Sequence, residues 1–142
     1  ATGWRARPTR STRTARLCHV KFLGQRSDIP ALLHEMDVFV FPSIHEGLGL
    51  VLLEAQASGL PCVVSEAIQP EADVGLGLIK KLSLQDHPSI WADAILEMAN
   101  KREKNGKKIK QAFERTGYSA SNSLQRAMEV YQINEKAVDL LV

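Results

Sequence analysis

Three short apolar runs, HVKFLG at residues 19–24, DVFVFPS at 37–43 and PCVVS at 61–65, alternate with two stretches of helical length. Strand, helix, strand, helix, strand with connections of only a few residues is the pattern of right-handed crossovers in an open α/β sheet, so the sheet is expected to be parallel. The first helix is predicted from SDIPALLHEM, with Asp28 as N-cap, Pro30 in the first turn and Ile29, Leu32, Leu33 and Met36 spaced to face a core. Residues 38–41 form a continuous apolar run ended by Pro42, which suits a central strand buried on both faces. The second helix is expected over about residues 49–58, stopped by Gly59.

Beyond Ser65 the pattern loosens. EAIQPEADVGLG reads as a loop with one helical turn, and LIKKLSL as a fourth short strand near the sheet edge. HPSIWADAILEMANKREKN reads as a helix capped by Ser89, with Trp91, Ile95 and Met98 on one face. KREKNGKK is expected to be a solvated helix end and linker broken by Gly106, and the remainder to residue 142 is expected to be helical.

A chain of 142 residues with 44% hydrophobic content can bury one core, so one domain is expected. The net charge of +2 is local in origin. Residues 1–16 carry five arginines and no acid, leaving 13 basic against 16 acidic residues, or −3, in the rest. Residues 1–17 are therefore expected to be a disordered Arg/Ser/Thr-rich tail ahead of a domain at 18–142. A nucleic-acid or anionic-membrane arm is the functional alternative for that tail, and steep salt dependence of binding would reveal nucleic-acid binding; the acids interrupting KREKNGKK speak against a second basic patch. No apolar run approaches the length of a membrane helix and no secretory segment opens the chain, so it is expected to be soluble. Cys18 and Cys62 sit in or beside apolar runs without metal-ligand spacing, which suits reduced cytoplasmic thiols.

The chemistry is expected between the second strand and the helix after it, because ligands of open α/β sheets bind outside the carboxyl ends of the strands. There Gly47 and Gly49 let backbone approach a ligand, and the helix behind them offers free N–H groups and a positive dipole end to a phosphate. Glu54 lies over a turn into that helix, within reach of a diol such as a ribose, and Glu46 stands at the mouth.

The run FVFPSIHEGLGLVLLEAQASGLPCVVS resembles the donor-binding motif of retaining GT-B glycosyltransferases, glycosyltransferase family 4 or group 1, of the capsule and exopolysaccharide type. It shares the apolar strand, Pro-Ser, Glu-Gly, seven residues between two glutamates, then Ala-x-Ala-x-Gly-x-Pro and the next strand. VKFLGQRSDIPALLHEMDVFV also looks like that family, and the resemblance covers roughly residues 20–100. It implies a Rossmann-like parallel sheet flanked by helices, the C-terminal domain of a GT-B fold, with a helical C-terminus. It implies that Glu46, the candidate catalytic residue, lies beside the donor sugar hydroxyls; that the backbone of Gly47, Leu48, Gly49 and Leu50 meets sugar and diphosphate; and that Glu54 binds the ribose. Residues 24–27 would border the base, with Arg26 a candidate contact whose alternative is a surface pair with Asp28. His45 neighbours the site, but no partner specifies a role for it.

The implied reaction transfers a glycosyl group from a nucleoside diphosphate sugar, favouring UDP, to an acceptor hydroxyl with retention. It uses no cofactor and no bound metal. The acceptor would be a glycan or lipid-linked sugar, handled in the cytoplasm at the inner face of the membrane, with no nucleic acid involved. The family draws a glycine-rich turn and an Arg/Lys pair from the first strand and helix of this domain, and its acceptor domain lies further upstream. Residues 1–17 show neither a strand nor a helix, so the chain is expected to represent a truncated, donor-binding half. The alternatives are a non-catalytic nucleotide-sugar-binding module, and a nucleotide-sugar epimerase of the same fold.

Overall fold

The computed structural model describes residues 20–131; Cys18, the Arg-rich tail and residues 132–142 lie outside the described residues. Its sheet has three parallel strands in the order β1 (Phe39–Phe41), β2 (Cys62–Ser65) and β3 (Ile79–Leu82). Helix α1 (Ile29–Glu35) precedes β1 and α2 (Leu50–Ala57) connects β1 to β2. A single 3-10 turn at Pro70–Ala72 lies between β2 and β3. Helices α3 (Pro88–Met98), α4 (Gly106–Arg115) and α5 (Ala120–Tyr131) complete the chain order. The architecture is a Rossmann-like parallel sheet flanked by helices, as the strand–helix alternation predicts.

The middle strand organises the core. Every residue of β2 is buried, and its alternation sends Cys62 and Val64 into a cluster with Leu33, Leu52, Ala55 and Ile68, while Val63 packs with Ala94 and Met98 of α3. Helices thus cover both faces of β2, the situation in which a strand reads as an unbroken apolar run. Burial pushes the Cys62 thiol up to about 12, with the Asp73 charge adding to it, so this cysteine is a packing residue.

Several expectations need correction. Residues 20–24 form no strand among the described residues, and Phe22 is 93% exposed; an apolar run becomes a strand only where a neighbouring strand completes its hydrogen bonds. Strand β1 stands at the edge of the described sheet, and its Val40 is exposed; β2 holds the centre. The cap of α3 is His87, whose Nδ1 accepts from the Ser89 N–H at 3.3 Å, because Pro88 occupies the first helical position and offers no N–H of its own. Gly106 opens α4 where a break is expected, with the Asn105 side chain accepting from Lys107 and Lys108 N–H groups at 3.1 and 3.2 Å. Ile29, expected in the core, lies at the surface, while Leu33 is buried.

The segment between α3 and α4 is tied to the rest of the molecule. Arg102 donates to the Ser58 carbonyl at 2.9 Å, to the Leu33 carbonyl at 3.0 Å and to the Met36 carbonyl. One guanidinium therefore satisfies carbonyls at the C-terminal ends of both α1 and α2, where helices leave acceptors without partners.

Candidate functional site

Pro42 ends the β1 ladder, since it has no N–H to give the next rung. From there the chain turns through residues 43–49 and enters α2 beyond the carboxyl end of the strand. Two hydroxyls shape the turn. Ser65, fully buried at the end of β2, donates from Oγ to the Ser43 carbonyl at 2.5 Å. The Ser43 hydroxyl in turn lies 3.1 Å from both the His45 carbonyl and Glu46 Oε1, so its one proton is shared between them.

At the other end of the turn Gly49 is the N-cap of α2, in the left-handed region at φ +69°, and it supplies no side-chain cap. The Leu52 N–H closes back on the Gly49 carbonyl at 2.8 Å. The N–H groups ahead of it remain for solvent or an anion, and the dipole of α2 adds to their attraction. Gly47 is exposed, and a Cβ there would meet nothing within 4 Å. Leu48 is half-buried, its side chain packed against Leu53, Val74 and Ala112, which anchors the turn from beneath.

Leu50, Glu54 and Ala57 share one exposed stripe of α2. Glu54 lines a cavity of about 320 Å³ between α1 and α2 with Ile29, Pro30, Leu33, Ala57 and Ser58. The two sequence-predicted glutamates therefore flank the glycine turn, Glu46 half-buried before it and Glu54 exposed one turn behind it. Arg26 is not gathered with them. Its guanidinium pairs with Asp28 at 2.8 and 2.5 Å, in a separate open hollow of about 350 Å³ lined by residues 25–28. That pair holds the Asp28 carboxyl below its usual range, and it leaves the N-cap position of α1 without a side-chain cap. His45 is exposed.

Sequence reasoning assigns no role to Ser43 or Ser65. The signal available is the hydroxyl placed directly after Pro42, where the ladder must end; its partner on β2 is visible only in the fold.

The sequence pattern of the family described as Glycosyl transferases group 1 matches residues 2–101. The chain belongs to that family. The match begins ahead of residue 20, where the motif-level resemblance starts, and it includes the whole Glu46–Glu54 region. The chain is 42% identical over 118 residues to a Bacillus subtilis (strain 168) protein named as a glycosyltransferase, EpsF, covering 83% of this chain and 31% of the relative. It is 60% identical over 43 residues to the UDP-Gal:alpha-D-GlcNAc-diphosphoundecaprenol alpha-1,3-galactosyltransferase of Escherichia coli, covering 30% and 11%. With the D-inositol 3-phosphate glycosyltransferase of Corynebacterium urealyticum it shares 30% identity over 116 residues, covering 80% and 27%. The chain thus spans about a third or less of the length of these curated relatives. Among the described residues no helix is long and apolar enough to cross a membrane.

Proposed function

We propose that this chain is the donor-binding part of a glycosyltransferase that moves a sugar from a nucleoside diphosphate, UDP by preference, to an acceptor hydroxyl with retention at the anomeric carbon. The observation that carries the reading is the turn between β1 and α2: two glutamates flank a glycine pair that opens an uncapped helix terminus. A nucleotide sugar needs three unlike contacts, and this arrangement offers each of them. The diphosphate meets the α2 N-terminus and the backbone of residues 47–50, the ribose diol meets Glu54, and the donor sugar hydroxyls meet Glu46.

In this reading the charge developing on the departing diphosphate is dispersed by oriented N–H groups, without a bound metal. The helix terminus is fixed before the ligand arrives, so little reorganisation accompanies the reaction. The name of the Escherichia coli relative specifies a UDP-sugar donor and a lipid diphosphate-linked sugar acceptor. That supports UDP here and an acceptor that is a glycan or lipid-linked sugar; family 4, a part in surface polysaccharide assembly and work at the cytoplasmic face of the membrane belong to the same proposal and rest on the motif resemblance alone. Arg26 is left as a contact to the base that exchanges Asp28 for the nucleotide.

Calorimetric titration with UDP, GDP and 2′,3′-dideoxy-UDP tests the reading. The expected result is UDP binding weakened about tenfold or more by Glu54→Ala, the effect of one hydrogen bond to a charged group. Removing the diol from the ligand should cost the wild type as much, and cost the variant nothing further. Equal binding of all three nucleotides, unchanged in the variant, overturns the assignment of Glu54.

A further inference from the structure

We propose that Ser43 is a positioning residue for the donor sugar, acting through Glu46, and that Ser65 fixes Ser43 in turn. The inference rests on the reading of Glu46 as the contact to the sugar. It begins from a gap in the sheet: the β1–β2 ladder pairs Phe41 with Val64 and goes no further, because the next residue on β1 is Pro42. The chain leaving an edge strand is thereby released from backbone pairing at the place where the site is built. The Ser65 hydroxyl, at zero exposure on the central strand, replaces the missing rung by donating to the Ser43 carbonyl at 2.5 Å.

Residue 43 is thus held by its main chain, and its side chain is free to act. The Ser43 hydroxyl lies 3.1 Å from Glu46 Oε1 and the same distance from the His45 carbonyl, closing the turn on itself. Among the described residues it is the hydrogen-bond partner of the Glu46 carboxylate, and it engages one oxygen only. Oε2 is left to accept from a ligand hydroxyl. A glutamate has three rotatable bonds, and binding through an unheld one forfeits affinity to the ordering of its rotamers. A hydroxyl that fixes one carboxylate oxygen removes that loss beforehand, which is how the supporting partners of a binding residue act. The relay runs from the buried centre of the sheet, through Ser65 and Ser43, to the carboxylate at the mouth.

The position of each group predicts a split between nucleotide and sugar. UDP alone reaches Glu54 and the α2 terminus, neither of which Ser43 touches. The sugar of a UDP-sugar reaches Glu46, which Ser43 holds. Calorimetry with UDP, UDP-glucose, UDP-galactose and UDP-N-acetylglucosamine on the wild-type chain, Ser43→Ala and Ser43→Thr reads this directly. The expected result is that Ser43→Ala binds UDP as the wild type does and loses about tenfold of the affinity that the sugar adds. Ser43→Thr, which keeps the hydroxyl, restores it. Because Ser43→Ala keeps the carbonyl that Ser65 grips, its thermal unfolding should match the wild type. In a Glu46→Ala background, which removes the acceptor that Ser43 holds, Ser43→Ala should change nothing further.

A Ser43→Ala chain that keeps the full sugar increment overturns the proposal, as does one that loses UDP affinity in equal measure. A wild-type chain that binds UDP but gains nothing from any of the three sugars overturns the positioning role and leaves the nucleotide site standing. A wild-type chain that binds no UDP overturns both.

Discussion

The backbones of Gly59 and Glu103 lie against each other: the Glu103 N–H donates to the Gly59 carbonyl at 3.0 Å, and a Cβ on residue 59 would stand 2.0 Å from the Glu103 carbonyl oxygen. Gly59 also has a φ of +66°, where a side chain is strained whatever the space. This contact locks the exit of α2 to the segment joining α3 and α4. Gly59→Ala should therefore destabilise the fold by about 2–4 kcal/mol, in the range filled by strained and overpacked positions. Urea unfolding measures it; a loss within about 0.5 kcal/mol contradicts the close approach.

Gly47 is predicted to behave in the opposite way. Its φ is not in the left-handed region, and an added methyl would meet no protein atom within 4 Å. Gly47→Ala should leave stability within about 0.5 kcal/mol of the wild type. It should nonetheless weaken UDP-sugar binding, because in the proposed function the methyl stands where the ligand comes close to the backbone. Loss of stability without loss of binding would show that this glycine serves the turn and not the ligand.

Arg102 reaches carbonyls that are 69 and 44 residues distant in the chain, at Leu33 and Ser58, and a third at Met36. Arg102→Ala leaves these acceptors without their cation and should cost about 2–3 kcal/mol. Arg102→Lys should recover only part, since an ammonium lacks the planar fork that spans two helix ends. Denaturant melts of the two variants distinguish this clamp from an ordinary surface arginine, whose removal would change almost nothing.

Glu97 on α3 is held down to about 2 by hydrogen bonds from Lys101 and then Lys80, from an ordinary value of 4.5. A carboxylate whose folded pKa lies below its unfolded one adds stability above the unfolded value and loses it as pH falls toward the folded value. The stability difference between wild type and Glu97→Gln should therefore be full at about pH 6, shrink between about pH 4.5 and 2, and vanish below. The group is exposed, so the difference should be small and should shrink in salt. A difference that grows as pH falls contradicts the pairing with Lys80 and Lys101.

What can be read from the sequence is local. The helix stop at Gly59, the strand at residues 62–65 and the spacing of Glu46 and Glu54 about a glycine turn each depend on neighbours within one or two turns, and the fold places them as expected. What cannot be read depends on residues far off in the chain. Strand character at residues 20–24 and the edge position of β1 are set by which strands lie alongside. The grip of Ser65 on Ser43 spans 22 residues, and no periodicity announces it. Arg102 in a charged run looks solvated until two helix ends are brought to it. Arg26 is ambiguous for the contrary reason: Asp28, two residues away, is near enough to take its charge in any fold.

The proposed function stands or falls with the turn between β1 and α2 as the receiver of a nucleoside diphosphate. Backbone amide chemical shifts of the chain, followed as UDP is added, address that turn residue by residue. Saturable shifts centred on Gly47, Leu48, Gly49, Leu50 and Val51 are expected, with the midpoint moved to higher UDP concentration by Glu54→Ala. Amides of that turn that stay unmoved while UDP perturbs another surface, or perturbs none, would contradict it.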